Sequence, residues 1–245
     1  FDLPPLDEQK RIADLLWALE WHRQALRNQT TALSAARSDF REWLFRSAGT
    51  LTSASRAFSI TIGRQRSPKH ATGPHLVPYL RSANVTGTGI DIEDVKEMNF
   101  TPAEQDKFKL QDGDVLVSEA SASPGSVGMP ATWRGELPGV VCFQNTLLRF
   151  RAVPHVSLAG IVEEWCHWAF ESGQFLSAAS GTNIRHIGVG GASSMEVRLP
   201  DVKRQTELLD DLLSFTDAAE RLATYARSLD AVSGSLRNEI FGGHQ

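Results

Sequence analysis

Hydrophobic residues return every seventh position in two long stretches of this chain. They stand at Ile12, Leu19, Leu26, Leu33 and Phe40, and again at Leu208, Phe215, Leu222, Leu229 and Leu236. A seven-residue period held over five repeats marks a helix that lies along another helix in a coiled coil. The interleaved positions expected to complete the seam are Leu15, His22, Gln29, Ala36 and Trp43 in the first stretch, and Asp211, Ala218, Tyr225, Val232 and Glu239 in the second. The stretches are copies of one another. A constant offset with no gap aligns Leu3, Pro4, Gln9, Asp14, Leu16, Arg41 and Phe45 with Leu199, Pro200, Gln205, Asp210, Leu212, Arg237 and Phe241. Pro4 and Pro5 disfavour helix before them, and Asp7 and Glu8 place acids where the helix dipole favours them. The first helix is expected from about Asp7 to about Phe45, on the order of 57 Å at the α-helical rise. The second is expected from about Val202 to Phe241, stopped by Gly242-Gly243. A chain that leaves along one helix and returns along the other predicts an antiparallel pair, with Phe1 and Gln245 close together and the intervening residues at the far end.

Between the helices the pattern changes to strands. Phe58–Ile62 alternates, His75–Leu80 is a short apolar run, and Gly113-Asp114 turns into Val115–Val117. Val140–Phe143 and Thr146–Phe150 read likewise, and a single helix is expected over about Leu158 to Ser177. Polar loops rich in Gly, Ser and Pro fill residues 65–74, 118–130 and 181–194. The reading is an α+β fold: a mixed α/β domain over residues 49–198, between spacer helices over 1–48 and 199–245. About 150 residues are enough for one domain with its own core.

Composition alters this picture little. Hydrophobic and charged contents of 41% and 22% are ordinary for a globular protein. No apolar run approaches membrane-spanning length, and no basic-then-apolar leader opens the chain. Cys142 and Cys166 form neither a CxxC pair nor a secreted framework, which points to buried, reduced thiols and a cytoplasmic protein. The opening at Phe1, inside a strand-to-helix transition, suggests a fragment of a longer protein or a natural half. The net charge is −4, but its distribution is uneven. Ser47 to Ile90 contains no Asp or Glu, while Arg56, Arg64, Arg66, Lys69 and Arg81 lie within it. Either it is a solvated basic loop, or it is a local positive face of the kind that phosphate contact requires.

The catalytic inventory is negative. There is no Asn/Asp-Pro-Pro-aromatic tetrapeptide of the amino-methyltransferase kind, and Gly188–Gly191 is followed by Ala-Ser-Ser instead of Lys-Ser/Thr. Asp112, Asp114 and Glu119 lack a nearby lysine, so Gly113-Asp114 reads as a turn and not as a nuclease carboxylate. The histidines have no metal spacing, and His22 is expected on the seam as a polar register residue. What stands out is a set of loops carrying side chains suited to reading bases: Arg64-Gln65-Arg66, Arg81–Asn84, Gln144-Asn145 and Asn183–His186. Arg addresses guanine with two hydrogen bonds, Asn and Gln address adenine, and Ser and Thr suit phosphate.

The Leu-Pro-Pro-Leu-x-Glu-Gln-x-Arg-Ile opening and its degenerate copy at 199–205 carry a family resemblance. So do Tyr79–Val85, Gly113–Glu119, Gln144-Asn145 and Gly181–Arg185. Together they resemble the DNA-specificity subunit of type I restriction–modification systems over essentially the whole chain. Such subunits carry two target-recognition domains and two conserved helices, so this chain looks like the C-terminal half of one, or a half-subunit that pairs with a second copy. In the second copy Asp201 and Arg204 replace Pro5 and Glu8, which changes the helix-start pattern. The resemblance implies a chain with no cofactor of its own that reads one half of a bipartite duplex target. It also implies partners: methyltransferase subunits that bind S-adenosylmethionine, a restriction/translocase subunit, and a second recognition half or homodimer partner. The DNA-binding residues expected are Arg64, Arg66, Lys69, Arg81, Asn84, Asn145, Asn183 and Arg185. Two other classes compete: the recognition part of a fused restriction–methylation enzyme, and a coiled-coil adaptor that binds no DNA.

Overall fold

The structure is a computed structural model describing residues 4–121, 126–181 and 185–241. Contacts divide the chain into two compact units, Phe1–Phe40 with Asp210–Gln245, and Arg41–Leu209.

The first unit is built from the long helix α1 (Leu6–Ser47) and the matching C-terminal helix (Val202–Phe241). Arg23 Nε lies 2.9 Å from Asp230 Oδ1, and the rings of Phe40 and Phe215 are 5.9 Å apart. One partner number falls as the other rises, so the helices run antiparallel as the repeat predicts. Phe1 and residues 242–245 lie outside the described residues, and the expected closeness of the two ends with them. The phase of the seam differs from expectation. On α1 the covered positions run 9, 12, 16, 19, 23, 26, 30, 33, 37 and 40, and the C-terminal helix repeats this at 212, 215, 219, 222, 226, 229, 233 and 236, with Ala25, Thr216, Ala223 and the expected seam residue Ala218 half-covered beside these rows. The second row is therefore Gln9, Leu16, Arg23, Thr30 and Arg37, matched by Leu212, Ala219, Ala226 and Ser233. Leu15, His22, Gln29, Ala36 and Trp43 face outward, as do Asp211, Tyr225 and Val232. His22 is thus no register residue, and its ring instead lies edge-on to Trp21, 5.3 Å away. The physical reason is size. Ala219, Ala226 and Ser233 let the backbones approach and leave room for the long stems of Arg23 and Arg37, whereas Tyr225 and Val232 would hold the helices apart.

In the second unit, chain order gives β1 (Thr50–Ser53), α2 (Ala54–Ala57), β2 (Phe58–Ile62), β3 (Leu76–Leu80), β4 (Val85–Thr86), β5 (Gly89–Ile90) and β6 (Lys96–Asn99). Then follow α3 (Pro102–Phe108), β7 (Val115–Ser118), β8 (Ala120–Ser121), β9 (Pro130–Thr132), β10 (Cys142–Phe143) and β11 (Leu147–Ala152). The unit closes with α4 (Ala159–Glu171), α5 (Gln174–Ala178), β12 (Arg185–His186), α6 (Gly188–Ser194), β13 (Glu196–Leu199) and the first turns of the C-terminal helix, now α7. An antiparallel sheet in the order β2-β11-β7-β9 forms the centre. A second sheet, β10-β3-β6, joins β10 parallel to β3. β1 pairs antiparallel with β13, so the strands beside the two long helices are tied to each other. The α+β class read from the sequence is the observed one.

Two hydrophobic clusters hold these sheets. Phe58, Phe150, Trp165 and Phe175 meet on one side of the central sheet, with ring centroids 5.1–6.4 Å apart. Leu80, Met98, Phe100, Phe108 and Phe143 form the second cluster. Two expectations change here. The single helix over 158–177 is two, broken at Gly173, whose φ of 75° is left-handed. The stretch 181–194, read as loop, contains β12 and α6; the complete burial of Ala192 counts for more than glycine's poor helix propensity. Asp114 is a turn residue as expected, and its buried carboxylate takes both Nε and Nη2 of Arg151, at 2.6 and 2.7 Å.

Helix ends reach into this unit as well. Buried Arg41 pairs with Glu171 and lies 3.6 Å from Glu164, and Trp168 Nε1 donates to Glu42. Gln205, fully buried in the first turn of α7, accepts from Leu158 N at 2.9 Å and donates to Val156 O and Pro200 O at 2.8 Å each. Gln9 repeats one of these bonds, Nε2 to Pro4 O at 2.7 Å.

Candidate nucleic-acid interface

Local sequence places the polar side chains on loops, and the backbone then ties those loops together. After β2, Arg64 N donates to Phe143 O and Asn145 N donates to Arg64 O, both at 3.0 Å. This close approach needs Gly63: a Cβ there would lie 2.2 Å from the Gln144 carbonyl oxygen. Gln144 N donates to Leu80 O at 2.8 Å, and Thr146 Oγ1 accepts from Ser82 N at 3.0 Å. Glu119 N donates to Thr146 O at 2.9 Å, Ile187 N donates to Glu119 O at 3.0 Å, and β12 pairs with β8. The loops at 64–66, 81–84, 144–146 and 185–187 are thus wired into one surface, although up to 120 residues separate them in the chain.

An open cleft of about 930 Å³ lies within this surface, lined among others by Arg66, Arg81, Ser82, Lys96, Gln144 and Thr146. The eight residues singled out in the sequence take different places around it. Arg66 and Lys69 are exposed, Lys69 on a short 3-10 turn at Pro68–His70, and neither pairs with a carboxylate among the described residues. Arg185 is exposed on β12 and equally unpaired. Asn145 is half-buried in the 144–146 turn. Asn183 lies outside the described residues.

Two of the eight are engaged inside the fold. Arg64 is held by Glu104 at 2.8 Å and by the Asn99 carbonyl, with its guanidinium 5.0 Å from the centre of the Phe100 ring. Asn84 is buried: its Oδ1 accepts from Arg81 N at 3.1 Å, and its Nδ2 donates to Asp91 O and Asp94 O at 2.9 and 3.2 Å. Both side chains hold the loops, Arg64 through its two terminal nitrogens and Asn84 through its carboxamide. Arg81 is intermediate, since its Nη2 meets Asp94 Oδ2 at 2.5 Å, and Lys96 shares the same carboxylate. The Lys96 hydrogen bond, outweighing partial burial and joined by the Lys96 and Arg81 charges, holds Asp94 below the usual carboxylate range.

Burial raises Glu104, but the hydrogen bonds from Thr101 and the Arg64 and His70 charges outweigh it, and its pKa is lowered. Desolvation, with the charges of Arg64 and Lys69, lowers His70 and leaves it neutral near pH 7. The thiols offer no nucleophile. Burial pushes Cys142 up to about 12 and Cys166 well above its ordinary value. Among the described residues no His, Cys, Asp and Glu come together as a metal site, and no helix is long and apolar enough to cross a membrane. Sequence reasoning placed Gln144 in a base-reading loop but chose its neighbour Asn145 for the eight expected DNA-binding residues.

The fold is similar to that of two solved chains, an HsdS subunit and a chain of a type I R-M system. The HsdS subunit from Thermoanaerobacter tengcongensis superposes with a TM-score of 0.69 at 15% identity, covering 98% of this chain and 60% of that one. A second solved chain, from work on complex assembly and conformational transition of the type I R-M system, superposes with a TM-score of 0.54 at 16% identity, over 96% of this chain and 57% of that one. In sequence, the type I restriction enzyme EcoKI specificity subunit of Escherichia coli (strain K12) is 23% identical over 246 residues, which is 89% of this chain and 52% of the relative. The chain spans about half the length of the curated relative it matches. No protein-family model matches it. The resemblance carried by the repeated helix start is borne out by these comparisons.

Proposed function

We propose that this chain is a non-catalytic DNA-recognition module of a type I restriction–modification complex. The unit Arg41–Leu209 reads one half of a bipartite duplex target, and the paired helices set its distance from a second recognition half. The observation that carries this reading is the convergence of the four polar loops on one cleft, with Arg66, Lys69 and Arg185 left unpaired at its surroundings. Phosphates then meet the exposed cations, while the cleft faces base edges. S-adenosylmethionine chemistry belongs in this reading to partner methyltransferase subunits, and cleavage to a restriction/translocase subunit, all in the cytoplasm.

An observation on α1 supports partner docking. Trp17 and Trp21, one turn apart and outside the seam, are 75% and 60% exposed, an aromatic surface typical of protein contacts and costly to leave in water. The test is a gel shift of pooled random duplex DNA with the full chain and its methyltransferase subunits. Alanine at Arg66, Lys69 and Arg185 together should abolish the shifted band. Equal retention by this triple variant would refute the placement of the surface, and no shift by the native complex would refute the function. Methyl transfer from labelled S-adenosylmethionine by the purified chain alone would instead establish the fused-enzyme reading.

A further inference from the structure

Resting on the DNA-recognition reading, we infer that Gln144 is a base-reading residue that selects an adenine in the major groove. Its backbone is fixed from both sides: N donates to Leu80 O at 2.8 Å, O accepts from Leu147 N at 3.0 Å, and Gly63 packs directly against its carbonyl. Its side chain, in contrast, has no hydrogen-bond partner among the described residues, and it lines the cleft. A rigid main chain presenting a free carboxamide is what base readout needs, because little ordering cost remains at the moment of contact.

The chemistry of the neighbours narrows the choice. Arg64 and Asn84 are consumed by the loops, and Arg81 and Lys96 share Asp94. Arg66 is a donor-only group. Of the polar side chains the cleft leaves free, Gln144 is the carboxamide, offering a donor and an acceptor in one plane. Adenine shows the complementary pair, N7 as acceptor and N6–H as donor, whereas guanine shows two acceptors. Asn145, its neighbour, is pinned at its N–H by Arg64 O and is not part of the lining.

The experiment is selection of 30-bp duplexes from a random pool on the full chain, followed by sequencing of what binds, for the native chain, Gln144→Ala and Gln144→Glu. The native chain should enrich a motif with an adenine at one position. Gln144→Ala should keep the rest of the motif and lose that preference by roughly 5- to 150-fold, the range of one bidentate contact. Gln144→Glu keeps shape and should move the preference at that position towards cytosine, whose N4 amino group donates to a carboxylate. A motif unchanged in both variants, or one that fades evenly at all positions, would overturn the assignment. Enrichment of no motif by the native chain would overturn DNA reading itself, and this inference with it.

Discussion

Replacing Gln205 by Ala should destabilise the unit Arg41–Leu209 by about 3 kcal/mol, taking each of its hydrogen bonds as about 1 kcal/mol. The side chain is fully buried and serves three backbone groups at 2.8–2.9 Å: Leu158 N, Val156 O and Pro200 O. Truncation to Ala leaves those groups without partners and opens space in a closed interior, so the cost is not offset by a solvent bond. With a urea slope of about 2–3 kcal/mol per molar, the midpoint should fall by about 1 M. Gln9 is the internal control. It occupies the equivalent place in the repeat, is only half-buried, and makes one such bond, to Pro4 O. Gln9→Ala should therefore cost under about 1 kcal/mol. Because two compact units need not unfold together, the reading should be local: amide exchange at Leu158 should accelerate in Gln205→Ala and stay unchanged in Gln9→Ala. Equal effects of the two substitutions, or a protected Leu158 amide in Gln205→Ala, would refute this account of how the loop 153–158 is held to α7.

The corrected seam makes a paired prediction: Leu26→Asp with Leu222→Asp should cost several kcal/mol, whereas Leu15→Asp with Tyr225→Asp should stay within about 1 kcal/mol, read by thermal melting. Glu104→Gln should cost stability only at higher pH. The folded carboxyl sits below its unfolded value, so its contribution is full above about pH 4.5 and is lost as pH falls through the folded pKa; the native and variant denaturation curves should converge there. Cys142 and Cys166 should resist a disulfide-exchange reagent at pH 8 in the folded chain and react with it once the chain is unfolded, as burial and raised pKa values require.

The long elements were legible because their signals are periodic and local. Heptads mark α1 and α7, and β2, β3 and β11 match their apolar runs within a residue or two. The seam's second row was not, since a period of seven fits a partner row three residues before or after the first. Counting apolar side chains favoured Leu15, Trp43 and Val232, while packing favours the small Ala219, Ala226 and Ser233. α3 carried a signal that went unread: Thr101-Pro102-Ala103-Glu104 is a capping box, with Thr101 N donating to Glu104 Oε2 at 2.9 Å. β12, α6 and β13 have no such mark: β12 is two residues long and pairs with the distant β8, and α6 carries three glycines. At the site, the loops were visible as polar clusters, but which members stay free is a matter of three-dimensional pairing.

On the proposed DNA-recognition reading, that pairing bounds how strongly the unit Arg41–Leu209 can hold DNA. The acid-free run Ser47–Ile90 looks uncompensated in the sequence, yet Glu104 reaches Arg64 and Asp94 reaches Arg81 from outside it. Of the cations carried by the clustered loops, Arg66, Lys69 and Arg185 remain without a carboxylate. The undescribed residues 122–125 and 182–184 contain no Lys or Arg, so they add none. Three phosphate contacts give a log–log salt slope of about −2.7. One unit therefore has a modest electrostatic hold, which a second recognition half, as proposed above, would strengthen through effective concentration without being required for the motif to be read. Titration of the full chain with duplex between 50 and 200 mM salt should give a slope near −3, flattening by about one for Lys69→Ala. A native slope steeper than about −6 would mean that Arg64 and Arg81 leave their carboxylates to meet DNA, or that a second cationic surface carries the contact, and the assignment of the interface would fall.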